Sequence, residues 1–85
     1  ILMLQADHVY TRFIMNDHIE YLCRNPLHHF QNKLPNTEFV KCHRSYVVNL
    51  RYIKNWNSFE LTMNNGTKVP ISKSHRDLVY QMLNK

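Results

Sequence analysis

Between Phe39 and Trp56 the chain carries Lys41, Arg44, Arg51 and Lys54, with His43 and Ser45 among them and no carboxylate in the whole stretch. These residue types offer a specific kind of chemistry. Arginine presents a planar fork of donors that fits the paired acceptors of a guanine edge or of a phosphate, whereas lysine delivers one mobile cation. Hydroxyl and imidazole groups are natural partners for phosphate oxygens. The apolar runs Tyr46–Val48 and Tyr52–Ile53 flank the polar cluster and would fix it to a core. A segment anchored in this way, yet presenting only positive charge, suits a loop pressed against a polyanion. Some of these side chains also have plain structural uses. Arg51 could pair with Glu60 or Asp7, and His43 could orient Arg44 or Ser45 through a hydrogen bond. Tyr46, Val47, Val48 and Ile53 read as core or core edge, and Trp56 reads as packing.

Catalysis finds little support. A hydrolase needs a nucleophile, a base and an orienting acid; Ser45 stands beside His43, but no acid or oxyanion loop accompanies them. His28 and His29 are adjacent, so on a helix they point about 100° apart and cannot easily hold one metal together. His18, His75 and Cys23 lack ligand spacing. We therefore expect no enzyme activity, no cofactor and no metal. Cys23 and Cys42 have neither metal-pair spacing nor the density of a disulfide scaffold, which points to buried free thiols in a reducing, cytoplasmic setting.

Charge sharpens the choice of partner. The chain of 85 residues has a formal charge of +5 and a pI near 9.5, unevenly placed. Residues 1–38 set three cations against four carboxylates, while residues 39–76 set seven against one. That imbalance favours nucleic acid or an anionic membrane surface. The membrane alternative needs an amphipathic basic helix, and the C-terminal stretch has too few cations for one. RNA or single-stranded nucleic acid stays open as a rival to duplex DNA, because Tyr46 and Tyr52 alternate with Arg44 and Arg51 and could stack on bases.

The elements that must position these residues are mostly strands. Ile1–Leu4, Val9–Met15 and an alternating run from His18 to Cys23 read as strands, with Asn16-Asp17 as a turn. Asn25-Pro26 signals a helix start, with asparagine as cap and proline in the first turn; Leu27, Phe30 and Leu34 then supply an apolar stripe ending before Pro35. Phe39–Cys42 and Tyr46–Val48 are strand-like on either side of His43-Arg44-Ser45. Asn49–Arg51 reads as an irregular turn, followed by strands over Tyr52–Trp56 and Phe59–Met63. Asn64-Asn65-Gly66 marks a tight hairpin, and Pro70 assigns the returning Thr67–Ile71 strand to an edge. Ser74 with Asp77 has capping-box spacing before a last helix striped by Leu78, Val79, Met82 and Leu83. At 44% apolar and 20% charged residues, with a single glycine, this is one globular domain.

The run Phe39-Val-Lys-Cys-His-Arg-Ser-Tyr-Val-Val-Asn-Leu-Arg-Tyr-Ile53 resembles the central motif of the LytTR DNA-binding domain found at the C-termini of bacterial response regulators. Tyr10-Thr11-Arg12, the Asn-Gly hairpin and Val69-Pro70-Ile71-Ser72-Lys73 fit the flanking pattern. The resemblance covers nearly the whole chain and leaves one N-terminal strand of the family pattern outside it. It implies an elongated β-sandwich with short helices that reads successive major grooves of duplex DNA from loops, as the output domain of a cytoplasmic bacterial transcriptional regulator. It also implies an upstream receiver or sensory domain, repeated DNA sites and pairing of two domains on them. Carried over by position, the base-reading places fall on Thr11, Arg44 and Lys73, and backbone-contacting places on Arg12, His43, Ser45 and Arg76. Lys41, Arg51 and Lys54 join the phosphate set on charge.

Overall fold

In the computed structural model, which describes residues 1–84, alternating apolar positions close into two antiparallel sheets. Strands β1 (Met3–Asp7), β2 (Tyr10–Ile14), β3 (Glu20–Cys23), β4 (Phe39–His43) and β5 (Tyr46–Asn49) form a five-stranded sheet in the order β3-β2-β1-β5-β4. Strands β6 (Ile53–Trp56), β7 (Glu60–Met63) and β8 (Lys68–Pro70) form a three-stranded one in sequence order. Helices α1 (Leu27–Gln31) and α2 (Arg76–Leu83) and two 3-10 turns, Leu50–Tyr52 and Lys73–His75, complete the structure. The mostly-β, two-sheet class expected from the sequence is what is found, in a body of 33 × 25 × 21 Å.

Register explains why the large sheet has a core on each side. Leu4 lies opposite both Phe13 and Val47, while Met3 lies opposite Ile14 and Val48. Successive side chains of a strand point to opposite faces, so these two rows face apart. Met3, Val40, Cys42 and Val48 face the second sheet and α2, where Leu61, Met63, Val69 and Val79 close the larger core. Leu4 and Val47 face α1 and bury Leu27, with Phe13, Phe30, Leu34 and Phe39 around them. Phe13 and Phe30 meet edge to face with centroids 4.8 Å apart. Burial of a side chain such as Leu4 contributes about 1.5–3 kcal/mol. A one-residue slip would exchange the two cores, which is why β1 is held in a single register.

Several local expectations are corrected. Helix α1 stops at Gln31, and the N-cap position falls on Pro26, one residue after Asn25, so no side chain caps the helix. The Leu27, Phe30 and Leu34 stripe still lands in the α1 core, with Leu34 supplied by the turn that follows the helix. The Ser74 capping box does not form: a 3-10 turn precedes α2, and the hydroxyls of Ser72 and Ser74 bond to the His75 ring. Trp56 is 42% exposed and belongs to neither core. Arg51 makes no ion pair among the described residues, since Asp7 pairs with Arg12 and Glu60 with Lys68. Cys23 is half-buried and Cys42 fully buried, both as free thiols.

The β7–β8 hairpin turns as the Asn-Gly pair demands, but only Gly66 takes a positive φ, at 89°. Asn65 supports the turn with its side-chain oxygen, which accepts from Thr67 N–H at 3.0 Å. A Cβ on Gly66 would meet nothing within 4 Å, so its conformation alone matters. Gly66→Ala should therefore lower stability by about 1 kcal/mol through backbone strain alone. Urea unfolding of the two proteins measures this directly; equal midpoints would show that the turn does not need glycine.

Candidate nucleic-acid interface

The β4–β5 hairpin is the centre of the cationic region. His43 pairs with Tyr46, leaving Arg44 and Ser45 as a two-residue tip. Neither tip residue takes a positive φ. Turns of that kind splay a hairpin, and β4 carries a register shift between Lys41 and His43 that leaves Cys42 as an extra residue and twists the strand. Three contacts fix the tip. Ser45 N–H donates to His43 Nδ1 at 3.1 Å, Ala6 N–H donates to the Ser45 carbonyl at 2.8 Å, and the His43 ring meets Tyr46 edge-on with centroids 5.5 Å apart. His43 thus bonds the Ser45 backbone rather than its hydroxyl. Arg44 is exposed at the end of this support.

Lys73 is brought to the same place by the packing of Ile71 and Val79 in one core with Val40 and Cys42, and by one long-range bond. Ser72 N–H donates to the Cys42 carbonyl at 2.9 Å on the outer edge of β4, so the 3-10 turn that begins at Lys73 is joined to the strand leading into Arg44. Both Arg44 and Lys73 are exposed. Lys41 is half-buried on β4. His75 lies close enough to Lys41 and His43 to feel both. Burial first, then these two positive neighbours, lower its pKa from the usual 6.5.

Two residues carried over from the resemblance do not join this group. Thr11 is fully buried, and its Oγ1 donates to the Asn25 carbonyl at 2.8 Å. Its side chain ties β2 to the loop before α1 and presents nothing to a base. Arg12 is engaged on the sheet by two carboxylates, Asp7 at 2.8 Å and Glu20 at 3.0 Å. Those hydrogen bonds, with Glu20 the stronger influence, push its already high pKa up, so the guanidinium stays charged with its charge offset by the two carboxylates.

The remaining cations are spread more widely. Arg51 is exposed in the 3-10 turn after β5, at the opposite end of that strand from Arg44; the four-residue strand between them is about 13 Å long. Lys54 is exposed on β6. Arg76 opens α2 with its guanidinium 5.7 Å from the centroid of the Phe59 ring. Phe59 is 72% exposed, and sequence reasoning passed over it; an aromatic at the mouth of a turn, close in space to a distant arginine, leaves no local signal. Tyr46 and Tyr52, the two rings that could have stacked on single-stranded bases, pack against the larger core instead.

A rigid β-scaffold with a cationic hairpin tip and a second cationic turn fixed beside it defines a nucleic-acid-binding module, since a two-stranded ribbon is an element that the major groove admits. The family model described as the LytTr DNA-binding domain matches residues 1–84, and the chain belongs to that family. The LytTr DNA-binding domain of a methyl-accepting/DNA response regulator from Bacillus cereus has the same fold, with a TM-score of 0.87 at 29% identity over all of this chain and 82% of that one. Sensory transduction protein LytT of Bacillus subtilis is 35% identical across 79% of this chain and 30% of its own length. Transcriptional regulatory protein LytR of Staphylococcus aureus is 30% identical across 65% of this chain and 24% of its own. The chain thus spans under a third of the length of these curated relatives.

Two outcomes are expected from this geometry. Thr11→Val should cost about 1–2 kcal/mol in urea unfolding, because the Asn25 carbonyl loses its donor, while leaving duplex affinity in fluorescence anisotropy unchanged. A large affinity loss in the folded variant would return Thr11 to the interface. The His75 ring should titrate below 6.5 by NMR, and Lys41→Met should move its midpoint upward. With a depressed folded-state pKa, the unfolded chain binds the proton first, so the contribution of His75 to stability is present above pH 6.5 and lost as pH falls below it.

Proposed function

We propose that this chain is the sequence-reading output domain of a bacterial transcriptional regulator. It docks its cationic edge on duplex DNA and reads bases with Arg44 and Lys73. What carries the reading is the joining of the Arg44 hairpin and the Lys73 turn by the Ser72–Cys42 bond, within a chain that belongs to a DNA-binding family. Arg44 donates a bidentate pair to guanine O6 and N7, and Lys73 adds a single, less discriminating donor. Lys41, His43, Ser45, Arg51, Lys54 and Arg76 set the register through phosphates. The work of this domain is binding and not catalysis, and it needs no cofactor.

In the full-length protein an upstream receiver or sensory domain controls access to DNA in the cytoplasm. Two such domains occupy repeated sites on one promoter. The preference for duplex over single strands rests on the packing of Tyr46 and Tyr52 against the core, which makes the two rings that alternate with Arg44 and Arg51 poor stacking platforms.

Arg44→Ala should weaken a selected duplex by about 1–3 kcal/mol and relax the preference at one base pair, with random duplex bound nearly as before. A variant that still discriminated like the parent would remove Arg44 from base reading. If about five phosphates are neutralised, anisotropy titrations across salt concentrations should give a log–log slope of roughly −4 to −5. Competition with RNA and single-stranded DNA at one salt concentration completes the test; preferential binding of either would overturn the duplex assignment.

A further inference from the structure

Strand β4 is the outer strand of the five-stranded sheet, so part of its backbone faces away from β5. Two groups of β4 outside the β5 ladder are already used: the Cys42 carbonyl accepts from Ser72 N–H, and Phe39 N–H donates to the Pro35 carbonyl. Toward Phe39 no strand lies beside it. Two cavities of about 460 and 270 Å³ open here, and both are lined by Gln31, Asn36, Phe39 and Lys41. The shared lining joins them into one groove that straddles the strand edge, with one cavity on each face of β4. Leu34 and Pro35 wall it on the α1 side, and Leu78 and Met82 on the α2 side. Lys41 is the one charged residue in either lining among the described residues.

We propose that this groove takes an extended acidic peptide segment of a partner protein, laid along β4 as an added strand. The physical grounds are three. An open strand edge offers backbone donors and acceptors to an incoming chain, and the molecule's own Ser72 already docks there at one end. Side chains of an added strand alternate between faces, so apolar ones can meet Leu78 and Met82 on the α2 side while acidic ones lie on the α1 side, the face that Lys41 shares with Val47. Lys41, with His43 and His75 near it, selects a carboxylate-bearing segment over a neutral or basic one. A second copy of this chain fits poorly, because antiparallel pairing of β4 with itself would bring Lys41 toward its own equivalent. The proposal stands on the groove alone and does not depend on DNA reading.

The test is amide NMR shift mapping on the 85-residue chain. The probe is a capped peptide of alternating glutamate and valine; the controls are the same peptide N-methylated at alternate amides and a version with lysine for glutamate. Saturable shifts confined to Phe39–His43, Gln31, Asn36, Leu78 and Met82, abolished by N-methylation and absent with the lysine peptide, are expected. Lys41→Met, still dispersed like the parent, should weaken binding roughly two- to fivefold, as for a partly exposed ion pair. Failure to saturate would overturn the proposal. So would shifts that spread over Arg44, Arg51, Lys54 and Lys73 and survive N-methylation, which is plain charge attraction. Shifts that grow with protein concentration before any peptide is added would assign the groove to self-association instead.

Discussion

The hydrogen bond from Ser72 N–H to the Cys42 carbonyl is the contact on which the cationic edge depends. Without it, the Arg44 hairpin belongs to one sheet and the Lys73 turn to the segment leaving the other. With it, two exposed cations from distant parts of the sequence share one support. Cys42 takes part twice more. It is the extra residue where the β4 register shifts, and its side chain lies in the larger core. Burial pushes its thiol up to about 12, so it stays protonated at neutral pH and sets no negative charge behind the cations.

Concentrating positive charge on a small domain costs free energy, and the structure limits that cost in two ways. Arg44, Lys73, Arg51 and Lys54 are exposed, where water screens their mutual repulsion. His75, nearer the packed β4–α2 contact, is held toward its neutral form. Arg12 is treated in the opposite way. Its two carboxylates offset its charge on β2, three strands across the sheet from β4.

The strand pattern was legible because it rests on side-chain period, and the period was strong. Val47 and Val48, Met3 and Leu4 each point apart as alternation requires, and Asn65-Gly66 closes its hairpin. The cationic stretch around Arg44 could be found from composition, since no carboxylate lies near it in sequence, whereas Arg44 itself was singled out by the resemblance to the LytTR motif. What could not be read were facts set by distant partners. Thr11 looks like any hydroxyl at a strand start, and only the return of Asn25 to its side buries it. Arg12 looks like a free cation until Asp7 and Glu20 converge on it across β1 and β3. Ser74 has capping spacing, but His75 competes for its hydroxyl. Trp56 has the size of a core residue, yet the second sheet turns it outward.

The same segregation of charge has a consequence for how the molecule arrives at its target. Residues 1–38 are slightly negative, while residues 39–76 carry more than the whole excess. A body 33 Å long with that asymmetry is a permanent electric dipole. In the field of a polyanion it experiences a torque before any contact is made, turning the β4–β5 side of the sheet forward. Fewer approaches are then wasted on wrong orientations, and the gain fades as added salt shortens the reach of the field.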